Sequence, residues 1–383
     1  MNLGKMPHPA WRIVQGFLCL SAWLARSNGF TTKSTGSTGS HSPRILSSSV
    51  FVFPPKSNAN TQGLTPLPPD ISPFAKSNSK RRDVQGDFRK LALRGLEQAV
   101  KDRITQLELE FPPLLGGYQS KSQFDDFDNV QELNKNRDWC IELLPTLPPK
   151  LFQPVWFVLP DLKEVELAKE EWGGQRYRQA AQFTSIEAVT DFYCQETASS
   201  SYSKPWGATF ASGMSSLLAG GNGDAGLLGD QGALDSLDTE NSAKFHLVCQ
   251  PGNGGPVEDW CNVKAFHEAA GSITPTCIVN GALDKVRDGY YPGLIFPKLA
   301  KTFDFYRSFE AVLFLKPISD KGVYGWLFRV YPEPWQVILQ TPKHKEQTQE
   351  VVVQDTVVLT SDTRPAYAQC VQALVNGAKE NAA

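Results

Sequence analysis

The stretch that most restricts the fold of this chain runs over 244–270, where a short apolar run, KFHLVCQ, passes through a glycine-rich loop, PGNGGPVEDW, into CNVKAFHEAAG. The run has the length of a buried strand. Trp260, Val263, Phe266 and Ala270 then recur at helical spacing, so the hydrophobic period changes across the loop, which must lie at a strand's carboxyl end. Gly252, Gly254 and Gly255 open backbone angles closed to other residues, Pro256 suits a first helical position, and Glu258 and Asp259 complement the helix dipole. On an open α/β sheet, ligands bind at such carboxyl ends. Asn253, Gly254, Gly255, Glu258 and Asp259 are therefore candidate ligand- or partner-binding residues. A phosphate cradle would need bare backbone donors and usually a cation. Two first-turn carboxylates repel phosphate and no Gly-Lys-Ser/Thr ending follows, so a capped structural turn leads, with nucleotide or phosphometabolite binding as the alternative.

Strand and helix signals alternate along the rest of the chain. Phe88, Leu91, Ala92, Leu96 and Ala99 mark one helix face, and Leu107, Leu109 and Phe111 alternate with Glu108 and Glu110 until Pro112-Pro113 ends the strand. Val130, Leu133 and Arg137 lie on a helix capped by Asp128 or Asn129. The run 155–159 reads as a central strand, ended by Pro160 and followed by an amphipathic helix through Trp172, and 276–279 reads as another strand. This order predicts an α/β fold with a Rossmann-like, mostly parallel sheet flanked by helices. Near the C-terminus, 324–331 and 335–340 predict an antiparallel strand pair about a Pro-rich turn, with an edge strand at 351–359 and a final helix at 366–375.

The first 82 residues contain one acidic residue, Asp70, among many Ser, Thr, Lys, Arg and Pro. That is targeting composition. Lys5 and Arg12 precede an apolar core at 13–25, too short for a bilayer span but right for a signal peptide, and Ser27-Asn28-Gly29 offers small residues for cleavage before Phe30. The reading is a signal peptide at 1–29 and a transit-peptide-like disordered segment at 30–82. This two-part address resembles the presequences of algae with secondary plastids, and plain secretion is its alternative. A single α/β domain follows at 83–360, with a Gly/Ser-rich insertion at 211–243, and then a C-terminal helix and tail at 361–383.

Charge and composition exclude several classes. The formal net charge is −2 with a basic presequence, so the remainder is more acidic, which disfavours nucleic acid as a partner. No segment after Ala25 has the length and apolarity of a membrane span. Cys140, Cys194, Cys249, Cys261, Cys277 and Cys370 are scattered without a C-x-x-C pair, which suits a reducing compartment. The cluster Asp125-Asp126-Phe127-Asp128 lacks the spacing of a calcium loop, so no metal is expected. His246, His267 and His344 form no zinc or triad motif, and no catalytic residue and no cofactor are expected. His246 reads as a core histidine, and His267 as an imidazolium at a helix end.

Longer runs carry a resemblance. NGGPVEDW, CIVNGALDKVRDGYYPGLIFPKLAKTF and GWLFRVYPEPWQVIL, with FDDFDNVQELNKNRDWCIELLP and PVWFVLPDLKEVELAKEEW upstream, resemble plastid proteins containing domain of unknown function 1995. Within that family the likeness is to plant members associated with low accumulation of photosystem II, and it spans most of 87–341. It implies a non-enzymatic protein of the plastid stroma or the stromal face of the thylakoid, assisting photosystem II assembly or accumulation. Its implied partners are a photosystem II core subunit or other assembly factors, with peripheral association at the thylakoid. In these runs Asn280, Asp284, Arg287, Tyr290, Tyr291, Arg329 and Trp335 join the candidate ligand- or partner-binding residues. Asp284 and Arg287 are spaced for an ion pair, Trp335 starts an alternating strand, and Arg329 is a charge in an apolar run that needs a partner or a pocket. Asn253, Asp259, Asn280, Asp284 and Arg329 are expected to converge at the carboxyl ends of the parallel strands.

Overall fold

A computed structural model describes residues 63–68, 84–112, 129–194, 242–252, 257–288, 290–344 and 351–382. The presequence expected at 1–29, the acidic cluster 125–128, the insertion 211–241 and the loop residues Asn253, Gly254, Gly255 and Pro256 lie outside the described residues. The strands are β1 (Gln106–Glu110), β2 (Val155–Leu159), β3 (Gln182–Ser185), β4 (Phe245–Cys249), β5 (Thr276–Val279), β6 (Glu310–Asp320), β7 (Val323–Val330), β8 (Trp335–His344) and β9 (Val351–Ser361). They form one nine-stranded sheet in the order β3-β2-β4-β5-β1-β6-β7-β8-β9. Every pair from β3 to β6 is parallel, and every pair from β6 to β9 is antiparallel. The mixed α/β architecture is the one the sequence predicts, with the antiparallel pair extended to a group.

The helices are α1 (Val84–Lys101), α2 (Asn129–Leu143), α3 (Pro149–Phe152), α4 (Leu162–Glu171), α5 (Gln175–Ala180), α6 (Ile186–Cys194), α7 (Glu258–Ala269), α8 (Leu283–Arg287), α9 (Pro297–Ala300), α10 (Phe303–Arg307) and α11 (Tyr367–Ala382). Strand residues alternate between faces, and the core divides accordingly. Phe157, Leu159, Leu247 and Val279 pack with α1 to α5 on one face. Trp156, Val158, Val248 and Ile278 pack with α6 to α10 on the other. Over the antiparallel strands that second face is covered by α11, through Cys370, Val371 and Leu374 against Phe314, Leu327 and Val337. Gly95 lets α1 sit close to β6, since a Cβ there would lie 2.7 Å from a methyl of Val312.

Local sequence explains the helix starts. Asp161 caps α4 by accepting from the Glu164 N–H at 2.9 Å. Buried Arg137 then joins α2 to α4 through Glu164 and Glu171. Residues 63–68 fall within the span read as transit-like, yet they lie against this domain. Thr65 donates N–H and Oγ1 to Glu333 at 2.8 and 2.6 Å, Gln336 donates to the Thr65 carbonyl, and Leu67 is buried. The folded unit therefore begins upstream of residue 83. The sequence hides this because an extended Pro-rich strip has no periodicity to detect.

Candidate functional site: a cleft at the carboxyl ends of the parallel strands

The chain leaves β1 toward α2 on one face and leaves β5 toward α8 on the other. Neighbouring strands whose connections depart to opposite faces leave a crevice beyond their carboxyl ends. Here that crevice is a cleft of about 260 Å³, lined by Glu110, Gln250, Gly252, Trp260, Asn280, Lys285, Tyr291 and Lys316 among others.

Its floor is held in backbone conformations that side-chain-bearing residues seldom adopt. Gln250, Asn280 and Ala282 have φ of 46°, 50° and 48°. Such strain is stored where surrounding contacts over-determine it. Asn136 of α2 donates to Gln250 Oε1 at 2.7 Å, Asn280 donates to Asn136 Oδ1 at 2.7 Å, and the Phe111 N–H donates to Asn280 Oδ1 at 2.8 Å. The backbone N–H groups of Gln250 and Asn280 meanwhile extend the sheet ladder to Val279 and Leu109. This chain of amides ties the ends of β1, β4 and β5 to α2. Gly252, at φ 76°, turns the chain over Trp260 and donates its N–H to Asp259 at 2.8 Å.

Two acids beside the cleft hold protons near neutral pH. Burial, and then the carboxylates of Glu108 and Asp284, push Glu110 up to about 8 against Lys316 and Arg287. Glu110 is part-exposed, but its Oε2 is shut from solvent and has no hydrogen-bond partner among the described residues. Burial likewise raises Asp259 to about 7, opposed by the Gly252 N–H. An anionic ligand would meet Glu132 in the lining and a Gly252 donor already taken by Asp259, and a cationic one would meet Lys285 and Lys316. The groups facing the cleft suit a neutral ligand with carbonyl or amide acceptors, for which Glu110 is a donor and Trp260 and Tyr291 are flat walls.

Residues 87–372 match the family described as Domain of unknown function (DUF1995), which covers the cleft and most of the chain. The chain belongs to the DUF1995 family. No curated protein and no solved structure matches it.

Within this DUF1995 domain the sequence-predicted residues separate into two places. Asn280 and Tyr291 line the cleft, and Asp259 stands behind Gly252 at its edge. Asp284, Arg287, Arg329 and Trp335 instead line a groove of about 550 Å³ between α8, α10 and α11. The expected convergence of Asp259, Asn280, Asp284 and Arg329 is thus corrected. Arg329 stands on β7, and Glu310 at 2.6 Å and the Glu333 carbonyl at 3.0 Å draw its guanidinium toward the amino end of the parallel strands. Trp335 is buried and packs under it, 5.2 Å from ring to guanidinium. Arg287 has a stronger partner than Asp284 at 3.8 Å, namely Glu108 at 2.6 Å, while Asp284 takes Arg364 and Lys316, each at 2.7 Å. Although burial opposes it, those two cations hold Asp284 below the usual carboxylate range. Glu258 begins α7 outside both cavities, and Tyr290 is exposed.

His267 is also corrected: it is buried, its Nδ1 lies 2.9 Å from Thr276 Oγ1, and burial lowers it to about 4, so it is neutral. His246 is a core histidine between Tyr193 and Thr276, lowered to about 3 by burial and by His267. Sequence reasoning missed Asn136, Gln250 and Glu110. A signal for each was present: Asn136 falls on the apolar stripe of α2 one turn after Leu133, and Gln250 and Glu110 are polar residues ending buried strands, as Asn280 is.

Proposed function

We propose that this chain is a non-catalytic binding protein whose working end is the carboxyl-end cleft, and that it assists photosystem II accumulation in the plastid by holding a client subunit or assembly partner. The observation that carries the binding role is the amide-locked floor: three strained residues, two of them, Gln250 and Asn280, held by Asn136, under a cleft whose lining among the described residues contains no histidine, cysteine or serine. The assignment to photosystem II rests on the likeness of the runs about Asn280, Tyr290-Tyr291-Pro292 and Trp335 to plant members of the family. A neutral acid at Glu110 and flat aromatic walls fit the carbonyls and apolar side chains of a peptide segment. The test is depletion of the protein followed by pulse-labelling of new photosystem II subunits, with wild type or Lys285→Glu restored. Lys285 is exposed at the cleft mouth, so the substitution spares the fold. Wild type should restore labelled-subunit accumulation and the variant should not; normal accumulation in the depleted plastid contradicts the proposal. Stabilisation by nucleotides or phosphorylated metabolites in a thermal-shift screen would favour the ligand-sensor alternative instead.

A further inference from the structure

Between Asp288 and Asp304 the sequence has no acidic residue, and its only charges are Lys298 and Lys301. After α8 this stretch forms a turn in which the N–H groups of Ile295 and Phe296 both donate to the Pro292 carbonyl, at 3.0 and 2.9 Å. The turn sorts its side chains by direction. Tyr291 packs on Phe296 and on Trp260, with ring centroids 5.3 and 5.6 Å apart, and Leu299 is buried behind them. Tyr290, Leu294 and Ile295 face outward, 65, 96 and 67 % exposed. A single exposed aliphatic residue is ordinary, but three large apolar groups on one braced tip mark an interaction surface. The exposed lysines of and after α9 follow it within a few residues in the chain.

We propose that this tip docks on the surface of an anionic lipid membrane. Leu294 and Ile295 enter the acyl boundary, Tyr290 lies at headgroup level with its hydroxyl in water, and Lys298 and Lys301 meet the phosphates. Among the described residues no helix is long and apolar enough to cross a membrane, and a tip of three apolar side chains enters only the bilayer surface, reversibly. A lipid surface accounts for the apolar tip and the two exposed lysines that follow it together. Tyr291 also lines the cleft, so docking would turn the cleft mouth toward the bilayer. The inference stands whatever the cleft holds.

Hydrogen exchange of the full chain, with vesicles of phosphatidylcholine alone or of equal parts phosphatidylcholine and phosphatidylglycerol, reads this tip separately from the N-terminus. Protection confined to 290–303 and present only with the anionic vesicles is the expected result. Leu294→Asp with Ile295→Asp should weaken the vesicle affinity read at 290–303 on the order of tenfold or more, and Lys298→Glu with Lys301→Glu should do so in low salt, both with unchanged melting. Absent protection, equal protection by neutral vesicles, or variants that bind like wild type would overturn it. So would protection that grows with protein concentration without vesicles, since a second copy would then cover the tip.

Discussion

Glu110 carries the clearest single-residue consequence of the fold. Its carboxyl is raised to about 8 and that of Asp259 to about 7, above the values of ~4.3 and ~3.9 in an unfolded chain, while His246 and His267 are lowered to about 3 and about 4, below ~6.5. Between about pH 6.5 and 8 the histidines are neutral in the fold and at most half protonated in the unfolded chain, while the fold keeps protons on the two acids that the unfolded chain has lost. The unfolded state then binds fewer protons, so stability falls as pH rises, by up to about 1.4 kcal/mol per pH unit for Glu110 alone. Glu110→Gln should flatten this decline in urea titrations across that window; an unchanged slope would show that Glu110 is ionised in the fold. Below about pH 6.5 the unfolded histidines take up protons that the fold excludes, which progressively offset those held by the two acids, so the gain on acidification fades toward about pH 5. Gly252 offers a second test. At φ 76°, with any Cβ only 2.6 Å from the Trp260 ring, Gly252→Val should cost on the order of 2–3 kcal/mol and shift tryptophan emission. An unaltered melting curve and spectrum would mean that the turn relaxes freely.

Among the elements, β1 behaves least as its pattern suggests. Alternating Leu and Glu ordinarily marks a strand with one wet face, yet β1 lies between β5 and β6 with both faces covered. Glu108 is tolerated there because α8 brings Arg287 to it at 2.6 Å. Arg287→Met should therefore destabilise by roughly 3–5 kcal/mol, and adding Glu108→Gln should recover a large part of that loss in urea melts. Additive losses would mean that the pair does not act as a unit. The same element shows what the sequence could reveal. The strands β2, β4, β7 and β8 are legible because each is an apolar run bounded by Pro or Gly, and α7 because Trp260, Val263 and Phe266 recur at helical spacing. Strand β6, which joins the parallel and antiparallel parts, escaped notice. Its run holds Lys316-Pro317, which reads as an ending, but those residues lie past the last β1 partner, Phe314, where only β7 pairs with the strand. Without β6, Arg329 could not be placed in a groove separate from Asn280, and so the expected site merged two cavities.

Across the whole molecule the functional features gather at the carboxyl ends of the parallel strands. The cleft, its amide-braced floor and the apolar tip at Tyr290, Leu294 and Ile295 meet about Tyr291, while among the described residues the groove shares with the cleft Lys316 and Pro317. The strand-loop-helix at 244–270 indicated this end of the sheet from sequence. The cleft's occupant was not legible, because the residues that line and brace it come from four separate stretches, at Glu110, Asn136, Gln250 and Asn280, and converge only when the sheet order is known. The occupant proposed for the cleft is a photosystem II client or assembly partner. A photo-cross-linking residue at Lys285, beside the cleft, compared with one at exposed Lys163 on α4, tests it directly in intact plastids. A photosystem II subunit or assembly factor captured from position 285 and absent from position 163 is the predicted result; equal capture from both positions, or none from 285, would contradict it.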